Sequence, residues 1–349
     1  MTLHLDHEVL RLALRDPFRI ARSDHGAGHG VTTVIVTIRD DRFPGLVGVG
    51  EGYPDRYYGE TTETMAVVLP MLVDAVGEID PTREGLVAAA AAMDGVIRGH
   101  GAAKCALDIA LHDLAGKVAG RPVYDLLGLP AHVPPTDFTI GIDAPEIVAQ
   151  RAQRASGFPA LKIKVGGAED LATLEAVRGV FDGPIRIDAN TAWTMDGALA
   201  ILPELERLGV QLIEQPFEAR RLDLLRRLQE RSPLPIVADE SCVLPEDLDG
   251  LVGVVAGVNV KLAKCGGIAP ARAMLERARE LGFRTFLGCM EETSVGIAGS
   301  AVVASLADWV DLDGCLLLDA DPFEGLDLDP DHRWIQSPRP GLGLTRKAA

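Results

Sequence analysis

The hydrophobic rhythm of the chain changes twice. Residues 1 to about 60 alternate apolar and polar positions between Gly, Pro and Asp punctuation, as in VTTVIVTIRDDRFPGLVGVGEG. A period of two marks half-buried strands, and the short breaks between them predict an antiparallel meander. From Thr61 to Leu127 the text turns rich in Ala and Leu, and KCALDIALHDLAGKVAG reads as a buried helix ending near Gly120. Strands followed by helices predict an α+β unit. Prolines at 130, 134 and 135 set it apart from the remainder of the chain.

Beyond Pro135 the pattern becomes short apolar runs, each trailed by about fifteen residues of helical periodicity. The runs are DFTIGI (137–142), ALKIKV (160–165), IRIDA (185–189), QLIEQP (211–216), PIVADE (235–240), GVNVKL (257–262), RTFLGC (284–289) and WVDLD (309–313). Eight strands spaced by about 25 residues and alternating with helices predict a (β/α)8-type barrel over an open doubly wound sheet. No GxGxxG follows any of them and no P-loop is present, so nucleotide binding has no support.

Composition narrows the class. At 349 residues, 47% hydrophobic and 24% charged, the chain has the make-up of an ordinary globular protein with a sizeable core. It contains no apolar run long enough to span a bilayer and its first residues carry acids, which predicts a cytoplasmic protein without a membrane partner. A net charge of −17 without a compensating basic block argues against nucleic acid. The basic run ARRLDLLRRL from Ala219 has the spacing of a solvated helix face. Five scattered cysteines without CxxC spacing predict free thiols.

Active sites of parallel barrels sit where the C-terminal ends of the strands converge. Here those ends carry Lys162 and Lys164, Asp188 and Asn190, Glu214, Asp239 and Glu240, Lys261, Glu291 and Glu292, then Asp311 and Asp313. Charges on interior strands are costly unless paired, so a purely structural origin would have to recur on nearly every strand. Asp188, Glu214 and Asp239 end three successive strands, and hard oxygen donors without His or Cys suit Mg²⁺. Lys162 and Lys164 precede this trio by one strand and Lys261 follows it by one, so on a barrel they face each other across the metal. Repulsion between the paired ammonium groups and a nearby divalent cation is expected to lower the pKa of one of them. The parts fit proton abstraction α to a carboxylate, with charge stabilisation for an enediolate. The alternative is that the lysines merely neutralise the acids. In WVDLDG, Asp311 and Asp313 share one strand face and require a cation, which can be a metal, a lysine or a substrate group.

The set LKIKVG, IDAN, IEQP, ADES, NVKLAKCGG and GCMEET resembles the enolase superfamily, in its muconate-lactonising-enzyme-like subgroup, and the match spans nearly the whole chain. The resemblance implies a modified TIM barrel, (β/α)7β, over residues 129–319. An α+β capping domain is expected over 1–128, completed by the tail 320–349. It further implies one Mg²⁺ per subunit on Asp188, Glu214 and Asp239, with Lys164 and Lys261 as the acid/base pair and a homo-oligomeric assembly. By the same resemblance Lys162 contacts the substrate and tunes Lys164, while Asn190 and Glu240 support the metal and lysines from behind. Lys264, three residues beyond Lys261, is expected to be structural or peripheral.

Within the subgroup, WVDLDG resembles the motif with which dipeptide epimerases hold a substrate α-ammonium group. The implied activity is Mg²⁺-dependent epimerisation of the C-terminal residue of a dipeptide, a small-molecule substrate. N-acylamino acid racemase, o-succinylbenzoate synthase and muconate cycloisomerase activities are the alternatives on the same barrel. The segment DPFRIARSDHGAGHG resembles the family's specificity loop and places Arg22 and Ser23 at the substrate, Ser23 where Ala-Glu epimerases can carry an arginine. A second loop, GEGYPDRYYGET, contributes Tyr53, with Glu51, Arg56, Tyr57 and Tyr58 nearby, and Met290 and Glu292 complete the expected substrate contacts.

Overall fold

The structure is a computed structural model that describes residues 2–25 and 30–348. Positions 26–29 of the expected specificity loop lie outside the described residues.

The N-terminal meander forms as the alternation requires. Strand β1 (Leu3–Leu12) pairs antiparallel with β4 (Val31–Asp40), which pairs with β5 (Gly48–Gly52). Between β1 and β4 the chain makes an excursion, the hairpin of β2 (Phe18–Ile20) and β3 (Ser23–His25). Helices α1 (Thr62–Val76), α2 (Arg83–Val96) and α3 (Gly101–Ala119) come next. Thr61 closes a capping box on α1, and Gly120, at φ 65°, ends α3 where the sequence places its end. Ala-dense α3 lies directly under the small sheet, and Gly48, Gly50 and Gly52 of β5 let its backbone approach that helix closely. The turn of helix α4 (Val123–Leu126) leads out of this cap.

The barrel contains all eight expected strands: β6 (Phe138–Ile140), β7 (Leu161–Lys164), β8 (Ile185–Asp188), β9 (Val210–Glu214), β10 (Ile236–Ala238), β11 (Gly257–Lys261), β12 (Arg284–Gly288) and β13 (Trp309–Asp311). They are parallel and sequential. The connections are α5 (Pro145–Arg154), α6 (Asp170–Arg178), α7 (Met195–Arg207), α8 (Leu222–Gln229), α9 (Asp247–Leu251), the pair α10 (Leu262–Cys265) and α11 (Ile268–Glu280), and α12 (Ser294–Val303). The ring closes through the bridge of Thr136 to Val310. Among the described residues no long helix follows β13. The short α13 (Gly314–Leu317) leads instead to a C-terminal hairpin, β15 to β16 in chain order after β14 (Phe323–Glu324), with β15 at Asp327–Leu328 and β16 at Trp334–Ile335. Trp334 Nε1 donates to Leu312 O at 2.8 Å and Thr136 N to His332 O at 2.9 Å, so this hairpin covers the seam where an eighth helix would lie. The architecture is (β/α)7β with a separate cap. Among the described residues no helix is long and apolar enough to cross a membrane.

The barrel interior is layered. Leu212, Val237, Phe286 and Trp309 form an apolar plug of their own. Arg186 lies against it, 5.4 Å from the Phe286 ring and 5.9 Å from Trp309, and is held by Asp137 at 2.8 Å. Above this floor most of the strands end in charge.

Candidate active site

Strand register assembles the upper layer. Lys164 pairs with Asp188 across β7 and β8, and Asp188 with Glu214 across β8 and β9. Asp239 follows the end of β10, one residue beyond the ladder. The carboxylates of Asp188, Glu214 and Asp239 offer ligand atoms all within 4.8 Å of one another, and all three are fully buried. Each carboxylate faces a lysine: Lys164 Nζ donates to Asp188 Oδ2 at 2.6 Å, Lys162 Nζ lies 2.8 Å from Glu214 Oε2, and Lys261 Nζ lies 2.9 Å from Asp239 Oδ2.

The backbone bends sharply just past these acids. Asn190, Thr191 and Gln215 have φ of 40°, 74° and 34°, a left-handed region that costs non-glycine residues about 1–3 kcal/mol each. The gain is connectivity. Gln215 Oε1 accepts from Asp239 N at 2.9 Å and Ser241 N at 3.1 Å, so the residue after one acid fixes the backbone of the next. Asn190 N donates to Asp188 Oδ1 at 2.9 Å, and its Nδ2 spans Asp188 Oδ2 at 3.2 Å and Glu240 Oε1 at 3.3 Å.

The trio fits a hard divalent cation. Its donors are carboxylates only, and the oxygens Asn190 Oδ1 and Glu240 Oε2 buried beside it have no hydrogen-bond donor. Oxygen lone pairs left bare in a buried pocket are what a cation would satisfy. The charges shift one another accordingly. Burial alone would raise the Asp188 carboxyl, but Lys164 and Lys162 bring it below its ordinary value. Asp239 is held well below by Lys261 and Lys264 against the same penalty, whereas in Glu214 burial prevails and lifts it to about 7.

Lys162 is pushed well up, against its desolvation, by Asp311, Glu214, Asp188 and Asp137, and Lys261 is raised by Asp239 against the same penalty. Lys264 is structural. Its ammonium group is buried and donates to Asp239 Oδ1 at 2.5 Å and to the carbonyls of Asp239, Cys242 and Asn259.

A cavity of about 680 Å³ opens over this layer beneath the cap. Lys162, Lys164, Asn190, Lys261, Met290, Asp311 and Asp313 line its barrel side, with Arg22, Ser23 and Tyr53 on the cap side. The β2–β3 hairpin is pinned over the mouth by Arg22, which donates to Glu240 Oε1 and stacks 4.2 Å from the Tyr57 ring. Its guanidinium is thus paired with Glu240 while its side chain still lines the cavity. Glu292, expected at the substrate, does not line the cavity: it is buried behind Met290, whose N–H it accepts at 3.2 Å, and its neighbour Glu291 lines the wall instead. Glu240 stands behind the metal pocket.

Asp311 and Asp313 meet through Thr139. Its hydroxyl donates to Asp311 Oδ1 at 2.8 Å and its N–H to Asp313 Oδ2 at 2.5 Å. The strand ends at Asp311, so it is this contact with β6, not alternation alone, that holds Asp313 on the same side. Asp311 Oδ2 also accepts from Lys162 Nζ at 2.7 Å. Lys162 and Lys164 bring the Asp311 carboxyl down against its burial, while burial and the neighbouring Asp311 raise Asp313 well above its ordinary range.

Sequence reasoning missed Thr139, Asn259, Gln215, Asp137 and Arg186. Asn259 Nδ2 donates to Glu214 Oε1 at 2.7 Å, and it stands two residues before Lys261, so strand alternation could have found it. Gly288 has a comparable role by omission: a Cβ there would lie 2.8 Å from Asn259 Oδ1 and 3.0 Å from Lys261 Cε.

Residues 7–128 match the model of the mandelate racemase/muconate lactonizing enzyme N-terminal domain, and 146–349 that of the enolase C-terminal domain-like family. The chain belongs to the enolase superfamily. Its superfamily relatives include the L-Ala-D/L-amino acid epimerase of Pedosphaera parvula, 38% identical over 333 residues that cover 92% of this chain and 93% of the relative. The L-Ala-D/L-Glu epimerase of Bacteroides thetaiotaomicron is 37% identical over 87% of this chain and 79% of its own. Among solved structures of the superfamily, the dipeptide epimerase of Enterococcus faecalis V583 complexed with Mg and L-Leu-L-Tyr superposes with a TM-score of 0.89 at 33% identity, covering 99% of each chain.

Proposed function

We propose that this isomerase is a dipeptide epimerase that uses Mg²⁺ and inverts the α-carbon of the C-terminal residue of its substrate. One observation carries the reading: Lys164 and Lys261 stand on either side of the buried acidic trio, and the same cavity holds the Asp311/Asp313 pair. A ligand with a carboxylate at one end and an ammonium group at the other meets complementary charge at both. The epimerase names of the relatives, and the Mg and dipeptide in the E. faecalis complex, support it.

Asp188, Glu214 and Asp239 would hold the metal, which when bound supplies a positive charge against the negative charge that develops on the substrate carboxylate. With these acids engaged by the metal, Lys164 and Lys261, now paired to Asp188 and Asp239, would be released to face the α-carbon. One takes the proton and the other returns one to the opposite face, which is what inversion needs. Lys162, between Glu214 and Asp311, adds positive charge beneath the substrate carboxylate. Asn190 and Glu240 keep the trio oriented. Tyr53, Ser23 and Met290 bound the space around the side chains.

Incubation of the Mg²⁺-loaded enzyme with L,L-dipeptides in D₂O is expected to place deuterium at the C-terminal α-carbon and to yield the L,D product. Neither Lys164→Ala nor Lys261→Ala should form product. Absence of both exchange and product across a broad library would overturn the proposal. A second reading, N-acylamino acid racemisation, is favoured by the Lys162 to Asp311 contact, since a pair already satisfied by lysine needs no substrate ammonium. Asp311→Asn separates them. Loss of a charged hydrogen bond worth about 1.5–3 kcal/mol predicts about a ten- to hundredfold fall in kcat/KM for dipeptides, whereas an N-acyl substrate would be little affected.

A further inference from the structure

A second cavity, of about 430 Å³, lies behind the ammonium-binding end of the first. The two share Phe18, Thr139 and Leu317, so side chains of these three residues stand between them. The second cavity occupies the seam of the barrel, between β6, α5 and the C-terminal hairpin that replaces the eighth helix. Phe138, Ile140, Phe158, Leu316 and Leu328 give it a mainly apolar lining, with Arg15, Asp16, Arg154, Asp329 and His332 also on its walls, at a size within the roughly 300–1,000 Å³ usual for ligand pockets. At one side stands Arg151, 8% exposed, whose Nη2 is held by Asp143 at 2.8 Å while its Nε and Nη1 have no hydrogen-bond partner. Buried guanidinium donors are rarely left unmade without a ligand to meet them.

We propose that this cavity receives the side chain of the substrate's N-terminal residue, so that the enzyme prefers dipeptides beginning with a large apolar or aromatic residue. The inference rests on the dipeptide reading above. The N-terminal α-carbon carries the ammonium group, held at Asp311 and Asp313, and a carbonyl that must run toward the barrel axis, where Lys164 and Lys261 stand. Its remaining heavy substituent, the side chain, points away from the axis, toward Phe18, Thr139 and Leu317. Turning Phe18 and Leu317 aside would join the cavities. Beyond them the apolar walls favour a large apolar side chain, and the charged residues of the lining include both signs, Asp16 and Asp329 with Arg15, Arg151 and Arg154. Arg151 is already paired with Asp143 at 2.8 Å and lies 3.6 Å from Asp16, so its remaining donors suit a neutral acceptor such as a phenol oxygen.

The test compares initial rates on L-Tyr-L-Ala, L-Phe-L-Ala and L-Ala-L-Ala with the Mg²⁺-loaded full chain. The aromatic substrates are expected to exceed L-Ala-L-Ala at least tenfold in kcat/KM. Ala155, buried in the cavity wall, is changed to Phe to fill the space, and the aromatic-to-alanine ratio should fall at least tenfold. Phe158→Ala, which removes atoms and so does not depend on new volume being accommodated, should move the preference toward L-Trp-L-Ala. Equal rates for the three substrates, or a ratio unmoved by both variants, would overturn the subsite while leaving the epimerase standing. Failure of every dipeptide to exchange its α-proton would instead bring down the reading on which it rests.

Discussion

Glu292 is a buried carboxyl group. Burial is the main cause that lifts it to about 8, with Glu51 adding to the rise, and its Oε1 has no partner. The folded chain keeps this proton while the unfolded chain loses it near the ordinary value of 4.5, so the folded state binds more protons between the two and stability falls as pH rises through that window. Above about pH 8 the loss is complete, a few kcal/mol at about 1.4 kcal/mol per pH unit. Glu292→Gln should therefore be indistinguishable from the parent in urea midpoint at pH 4.5, and more stable by about 2 kcal/mol or more at pH 9. A variant equally stable at both would mean that Glu292 is not protonated in the folded chain. The same residue marks a boundary of what sequence can say. That a charged residue ends nearly every strand is visible in the text, because strand spacing and alternation are local. Whether such a residue faces the cavity, as Glu291 does, or lies under the turn, as Glu292 does, depends on a bend after the strand that no periodicity encodes. The role of Lys264 was hidden for the same reason: the four acceptors around its ammonium group belong to Asp239, Cys242 and Asn259, on two segments remote from each other in sequence.

Helix α3 illustrates the next scale. Its Ala-rich pattern and terminal glycine were sufficient to place it, but not to say what it supports. Asp108, in the middle of the helix, accepts from the first N–H groups of α11, Ile268 at 2.5 Å and Ala269 at 3.4 Å. A helix start in the barrel is thus capped by a side chain of the cap. Gly267 completes the joint: at φ 123° its missing Cβ would sit 2.3 Å from Asp108. The glycine pair in NVKLAKCGG, part of the motif around the catalytic candidate Lys261, therefore owes at least one member to packing. His112, one turn on, lies 3.3 Å from the same carboxylate, and although desolvation lowers it, Asp108 raises it overall. Asp108→Ala removes the cap and the carboxylate beside His112, whose Nδ1 keeps its 2.8 Å contact with the carbonyl of residue 108, a loss of about 3–5 kcal/mol. Asp108→Asn keeps an acceptor and should lose less. The sign of the pH effect separates charge from capping. A histidine raised by its partner stabilises fully below its unfolded pKa of about 6.5, and that stability fades as pH rises through the folded value. The decline should be present in the parent and absent in Asp108→Asn, as read by thermal unfolding across that range.

At the scale of the whole molecule, cap and barrel close around one buried charge balance. Four lysines, Lys162, Lys164, Lys261 and Lys264, meet four acids, Asp188, Glu214, Asp239 and Asp311, within the barrel mouth. The cap is fastened to that mouth at buried joints, Arg22 on Glu240 and Glu51 on the N-terminus of α12, where it accepts from Thr293 N at 3.0 Å and Gly296 N at 2.9 Å. These joints link residues 218 and more positions apart, which is why the barrel and the meander were each legible from periodicity while their union was not. The union bears on the proposed metal. A divalent cation entering the trio would displace lysines from three carboxylates, and it would bind the folded chain alone, because the unfolded chain presents no such cluster. Binding to the folded state alone adds about 2.7 kcal/mol to unfolding at a hundred times Kd. Mg²⁺ added to chelator-stripped protein should raise the unfolding midpoint in step with its concentration. Asp239→Asn should abolish that response while Asp313→Asn preserves it, because Asp313 lies outside the trio. A midpoint indifferent to Mg²⁺ would show that the lysines and acids form a closed salt-bridge core with no room for the ion, and both lysines would then lose their proposed freedom to act as bases.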